Sequence, residues 1–422
     1  MIKLNVSRTQ WAVGNGFFHS GTVSSDGQSV SFIYHCGARA DTQGELNRET
    51  EELAERITKA DFMFVSHFDF DHVSGIPLLA KRLSIGRFII PLVPVSERLL
   101  VLGGSISDGD LDGAPPGGDF YSDFIVDPST ALATLTENAG SPAEVQIVPP
   151  ATAQPEGGGA ESPELLSPSK IGGATPSAAI TLRFEADRTV CKVDQDVVWE
   201  WFPYVAVQAT GATREFIKAL IRRGLISSES ELHDTSRLEL IVRHHRKELA
   251  QAYDDAVKTV GRSFTRNLTS LMLYSGPPVG AAHRAYRTRN STIERAEIGA
   301  WNPRPGWLGL GDADLRANKR VDEVNAVFAS RKPYVGTFAP SHHGSAKDWA
   351  ASLMTGFDPV AAHSPTYVFG AAGAYRSRRD KAVLHPDGDV LLAINEAGGT
   401  AITVGKSETS RWTESLSVFI QP

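Results

Sequence analysis

Between positions 64 and 75 the chain reads FVSHFDFDHVSG, which sets His67, Asp69, Asp71 and His72 within six residues. They follow the apolar run Phe62-Met63-Phe64-Val65, whose length suits a buried strand handing over to a loop. Two imidazoles and two carboxylates are costly to bury alone, and divalent cations are the partners these donor types serve. Alternate positions of an extended loop face one way and adjacent ones diverge. His67 with Asp69 is therefore expected to hold one cation, and Asp71 with His72 a second. Two cations about 3.5 to 4 Å apart can share a water-derived nucleophile and polarise a phosphoryl or carbonyl oxygen together.

Four ligands do not complete two sites, and the later half of the chain offers more. WLGLGDADL ends an apolar strand on Gly311-Asp312, whose carboxylate is expected to bridge both ions and, with Asp71, to carry the reaction. FAPSHHGSAKDW ends another strand on His342, His343, Gly344 and Ser345. One of His342 and His343 is expected to ligate and the other to pack or support it, and the sequence leaves open which. Ser345 and Lys347 are candidates for holding a substrate phosphate, although Ser345 suits a helix cap equally well. YRSRRDK at 375–381 interleaves Tyr with Arg376, Arg378 and Arg379, a composition that grips phosphates and stacks bases. HRAYRTRN at 283–290 has the same character. Phe68 and Phe70 are expected to pack beneath the metal loop, and His244 and His245, in a charged helical stretch, to form a solvated face.

The 422 residues are 41% hydrophobic, enough for one large domain or two ordinary ones. The net charge of −7 excludes a global positive field, so any phosphate-bearing substrate must be held by metal or by a local basic patch. Cys36 and Cys191 are too few for a disulfide framework and suit a reducing compartment. With no signal-like start and no apolar run of membrane-spanning length, a cytoplasmic protein without membrane contact is expected.

Those residues need elements to position them. Residues 1–97 alternate short apolar runs such as SFIYHCG and RFIIPLVP with the charged helical stretch NRETEELAERITKA, an α/β texture. The stretch 98–263 is expected to be an insertion, with a Pro/Gly-rich mobile part at about 139–178 and a helical part at 213–260. Short strands resume in 264–422. The chain therefore reads as two α/β halves around an inserted middle.

VGNG at 13–16, HFDFDH at 67–72, NLTSLML at 267–273, GDA at 311–313 and HHGS at 342–345 follow one another in this order. Together they resemble the metallo-β-lactamase-fold hydrolases, and more closely the metallo-β-lactamase-like domain of bacterial DNA-uptake channel proteins. The resemblance covers roughly 10–97 and 264–405. It implies a four-layer αβ/βα sandwich and a soluble hydrolase using one or two divalent ions on a phosphodiester, as a phosphodiesterase or nuclease. It further implies a place among effectors of bacterial defence against phage. Asp69 stands where the family's usual motif has His, which hardens one site towards oxygen-loving ions, so Mn²⁺ or Mg²⁺ compete with Zn²⁺. Where the family usually carries Asp before Cys-Gly, this chain has His35-Cys36-Gly37, and near the place of a further ligand His it has Asn267 and Ser270. Two other readings accompany this one. One is a hydrolase of a small substrate such as a cyclic nucleotide, a lactone or a β-lactam. The other is a non-catalytic module that keeps the fold and meets a protein partner through residues 180–260.

Overall fold

The computed structural model describes residues 1–111, 118–150, 180–185, 187–207, 211–261, 269–290, 300–301, 304–315, 318–355, 357, 365–371, 373–376 and 382–421, a few of them by backbone alone. Two sheets dominate. The nine-stranded sheet runs, neighbour to neighbour, through Ala300–Trp301, Ala282–Asn290, Trp412–Gln421, Ile2–Gln10, Gly16–Ser25, Gln28–Ala38, Phe62–Phe64, Arg87–Pro91 and Glu144–Val148. The eight-stranded sheet runs through Thr400–Val404, Thr366–Gly370, Val335–Ala339, Gly306–Gly309, Thr269–Gly276, Asp196–Val207, Thr189–Val193 and Ile180–Phe184.

The layering follows from alternation along each strand. Phe62 and Phe64 enter the core between the sheets with Phe32, Tyr34, Trp199, Trp201, Leu271 and Leu273. Met63 and Val65, one residue out of phase, face a helical layer instead. That layer is built by Gln43–Arg56, Ile76–Arg82, Val95–Asp108, Pro128–Asn138, Gly211–Arg222 and Arg246–Val260. On the far side Met272, Tyr274, Leu308 and Phe338 meet the helices Asn318–Val327 and Gly388–Glu396. The order helix, sheet, sheet, helix is the four-layer αβ/βα sandwich expected from the motifs. Arg8 and Glu414 form a buried ion pair at 2.7 Å, and Thr337 of the facing sheet donates to the same carboxylate at 3.1 Å, tying the layers through their core.

The middle of the chain enters both layers. Its strands Ile180–Phe184, Thr189–Val193 and Asp196–Val207 are one flank of the eight-stranded sheet, and its helices share a core with residues 46–102. Of the Pro/Gly-rich stretch, residues 151–179 lie outside the described residues. Among the described residues no helix is long and apolar enough to cross a membrane.

Candidate metal centre

Strand ends from both sheets meet at one rim. Phe62–Phe64 lies parallel to both Gln28–Ala38 and Arg87–Pro91, and Gly306–Gly309 lies parallel to Val335–Ala339. The loops leaving the C-terminal ends of Phe62–Phe64, Gly306–Gly309 and Val335–Ala339 carry the donors, in the position where open α/β sheets place ligands. Backbone bonds stitch these loops together, from Leu271 N–H to Ser66 O at 2.8 Å and from His342 N–H to Gly311 O at 3.1 Å.

Five distances define the centre. His67 Nε2 is 3.9 Å from Asp69 Oδ2 and 3.7 Å from Asp312 Oδ2. His72 Nε2 is 3.6 Å from the same Asp312 oxygen and 4.0 Å from Asp71 Oδ2, and His343 Nε2 is 3.8 Å from Asp71 Oδ2. These are too long for hydrogen bonds. They match the roughly 3 to 4 Å separating two donors that share an ion through bonds of about 2.1 Å. The donors form two mixed triads, His67, Asp69 and Asp312 on one side and Asp71, His72 and His343 on the other, and His35, His67 and His72 make a third, all-imidazole group; donor atoms inside each lie within 4.8 Å of one another. Asp312 Oδ2 stands within 4 Å of an imidazole of each triad.

The donor set fits divalent cations on its own chemistry. The outward nitrogen of each of the three imidazoles is anchored: His67 Nδ1 to Ser66 Oγ at 2.6 Å, His72 Nδ1 to His35 Nδ1 at 3.2 Å, and His343 Nδ1 to the Gly370 carbonyl at 2.7 Å. A carbonyl only accepts, so His343 carries its hydrogen on Nδ1 and can present the Nε2 lone pair to the centre. All three Nε2 atoms are buried without a hydrogen-bond partner. Burial lowers the pKa of His67 well below its usual value and that of His72 below it, so neither is expected to hold a competing proton at neutral pH. Burial would raise Asp312, but His72, His342 and His67 outweigh it and hold the carboxyl below the usual range. His343 is the exception. Burial alone would depress it, yet Asp71 and Asp312 raise it, and a cation between these groups competes with that proton.

The adjacent pair is resolved by direction. Both histidines have left-handed backbone, φ 50° at His342 and 54° at His343. His343 turns inward, whereas His342 pairs with Asp348 at 3.0 Å and keeps a side chain 35% exposed on the rim. Ser345 is buried beside them, its N–H donating to His342 O at 2.9 Å, and its side chain makes no capping hydrogen bond to the short turn that follows. Lys347 is exposed one turn away. Arg376 ends the strand Gly373–Arg376, paired with Ala382–His385, while Arg378 and Arg379 lie outside the described residues. Phe68 and Phe70 are buried beneath the loop against Phe124 and Tyr121, and Tyr121 Oη donates to Phe68 O at 2.9 Å, so the helix Gly118–Val126 buttresses the donors from below.

Sequence reasoning assigned no place at the centre to two further imidazoles. His35 touches His72, and His385 lies with its ring 5.8 Å from that of His342 and 6.3 Å from that of His343. His35 stood in the sequence only as a departure from the usual carboxylate, and nothing in the spacing of His385 ties it to residues 43 positions earlier.

Two glycines are required by close approach. Gly311 has φ +58°, and a Cβ there would lie 2.5 Å from Ser66 Oγ. At Gly37 a Cβ would lie 2.5 Å from both Asp71 C and His72 N, which are backbone and cannot swing away. Gly37→Ala is therefore expected to destabilise the fold by about 2 to 3 kcal/mol and to weaken metal uptake, because the clash falls on the donor loop itself. Urea unfolding of the chelated protein, together with zinc titration, would measure both. An unchanged midpoint would show that the loop yields.

No protein-family model matches the chain, and a search of curated proteins finds none similar. Solved structures with a related course of chain include unliganded yeast PDE1, at 7% identity and a TM-score of 0.37 over 99% of each chain. A long form RNase Z from yeast aligns at 8% identity and a TM-score of 0.31, over 86% of this chain and 36% of that one. MEM-A1, a subclass B3 metallo-beta-lactamase isolated from a soil metagenome library, aligns at 12% identity and a TM-score of 0.17, over 60% of this chain and 93% of that one. With superpositions this loose, the functional reading rests on the geometry of the centre itself.

Proposed function

We propose that the protein is a metal-dependent hydrolase that cleaves phosphodiesters, with a nucleic-acid strand or a nucleotide as substrate. The observation that supports this reading is Asp312, one carboxylate oxygen within 4 Å of an imidazole from each of two donor triads. Divalent cations held by such triads supply Lewis acidity at a phosphoryl oxygen and lower the pKa of water. The chain's own residues do the rest. His67, Asp69 and Asp312 form an oxygen-rich set that suits Mn²⁺ or Mg²⁺ as well as Zn²⁺, while Asp71, His72 and His343 form a nitrogen-rich set that suits Zn²⁺. His342, paired with Asp348 on the rim, and the exposed Lys347 are the candidates to meet the non-reacting phosphate oxygens, with Ser345 buried beside them.

The test is direct. The protein is incubated with Mn²⁺ or Zn²⁺ and plasmid, single-stranded DNA, RNA or bis-p-nitrophenyl phosphate, beside Asp71→Ala. Turnover is expected with the wild type and lost in the variant; turnover that survives in the variant removes the centre from the reaction. Salt then separates the substrate classes. Cleavage of a polynucleotide is expected to fall steeply between 50 and 200 mM salt, by roughly tenfold for each two or so phosphates gripped, whereas hydrolysis of a small diester, lactone or β-lactam stays flat.

A further inference from the structure

We propose that His35 is a positioning residue for the metal centre. It accepts a hydrogen bond from His72 Nδ1–H and so holds His72 in the tautomer that turns its Nε2 lone pair to the ion. The inference rests on the metal reading above and adds a role for a residue outside both triads.

Three observations converge on it. First, the two Nδ1 atoms are 3.2 Å apart, and both rings are buried, 0% exposed at His35 and 1% at His72. Two ring nitrogens at that distance need one hydrogen between them. If His72 gives it, His72 Nε2 is left as a lone pair 3.6 Å from Asp312 Oδ2. If His35 gives it, His72 Nε2 carries hydrogen and cannot ligate. Metal binding and the direction of this hydrogen bond are thus one and the same choice.

Second, the backbone is bent to deliver the ring. Opposite Gly16–Ser25 the pairing runs Phe18 with Cys36 and then His19 with Tyr34, so His35 is the extra residue of a β-bulge. Its φ is +61°, a left-handed value that non-glycine residues rarely adopt. A bulge re-aims the side chain of its extra residue. Here it brings His35 to a ring-centroid distance of 4.6 Å from His72 and 5.6 Å from His67.

Third, the other two ligand imidazoles are anchored at Nδ1 by an oxygen, from Ser66 and from Gly370, and only His72 is anchored by nitrogen. Removing the groups that orient ligand histidines weakens metal binding by about 10 to 100-fold, so His35 should matter on that scale. It should matter for the ion held by Asp71, His72 and His343 more than for the ion held by His67, Asp69 and Asp312.

Asparagine is the informative replacement, because its side-chain oxygen can accept near the place of the imidazole Nδ1 and it tolerates left-handed backbone. Zinc titration by calorimetry or chelator competition is expected to show one of the two ions weakened by about 10 to 100-fold in His35→Ala and largely recovered in His35→Asn. Uniformly ¹⁵N-labelled, zinc-loaded wild type supplies a readout that a merely structural role would not move. It should show a scalar coupling across the hydrogen bond between His72 Nδ1 and His35 Nδ1, with the hydrogen on His72. Zinc binding by a folded His35→Ala equal to wild type, failure of His35→Asn to recover a loss, or absence of the coupling in the loaded protein would each overturn the proposal. If His35→Ala does not fold, the coupling and the His35→Asn titration still decide. Wild type that binds no zinc overturns the metal reading itself, an outcome distinct from wild type that binds while His35→Ala is indifferent.

Discussion

Asp312→Asn is expected to lose phosphodiester turnover by on the order of 10³-fold or more while keeping its fold. The substitution removes one charge and almost no volume. The buried carboxylates that remain, Asp69 and Asp71, still face His67 and His72, so neither is left without a nearby imidazole, and the core between the sheets is untouched. What disappears is the oxygen 3.7 Å from His67 Nε2 and 3.6 Å from His72 Nε2, on a side chain that serves both triads. A neutral amide oxygen is a weaker ligand and cannot offset the charge of two cations. Metal content should therefore fall together with activity, and circular dichroism with urea unfolding should report a protein close to wild type. Asp69→Asn alters one triad alone and should cost less than Asp312→Asn. Activity within tenfold of wild type in Asp312→Asn would remove Asp312 as the shared ligand.

Acid is expected to unfold the metal-free protein well before its carboxylates are neutralised. Burial lowers the folded-state pKa of His19 and His35 well below the usual value, and that of His385 to about 3. The unfolded chain titrates near 6.5, so between that value and the depressed ones it binds more protons than the folded chain. Stability contributed by these groups is complete above about pH 6.5 and lost progressively as pH falls below it. His343 acts in the opposite sense, because its folded pKa is raised and its contribution is present at low pH and lost as pH rises. His67 and His72 are lowered as well, so depressed imidazoles outnumber the raised one and the balance is a loss of stability between pH 7.5 and 5.5, measurable as a shift in the urea midpoint in the presence of chelator. His19 tests the assignment away from the donors. It is 1% exposed and stacked on Trp307 at 4.4 Å, and His19→Phe keeps the stack without a titrating group. That variant should flatten the profile, and an unaltered profile would refute the account.

The donors were legible because they are local. His67 to His72 is a run of donor types after a buried strand, and Gly311-Asp312 and His342-His343 repeat the same arrangement of apolar strand, tight turn and donor. The two-faced strands were legible for a similar reason, since Phe62 and Phe64 against Met63 and Val65 is a period-two pattern that survives in the folded layers. Other features depend on groups far apart in the chain. Which of two adjacent histidines turns toward Asp71 was decided by left-handed backbone at both and by the Gly370 carbonyl, 27 residues on, that accepts from His343 Nδ1. His35 and His385 reach the centre through a bulge and through a neighbouring hairpin, neither of which leaves a periodic trace in sequence. Residues 180–207 read as strands from composition, but their joining the second sheet rests on the pairing of Asp196–Val207 with Thr269–Gly276, a contact between segments some 70 residues apart. Residue type and short-range period thus determined what chemistry was present, and long-range pairing decided which atoms face one another, because direction at a site is set by neighbours that the local sequence does not contain.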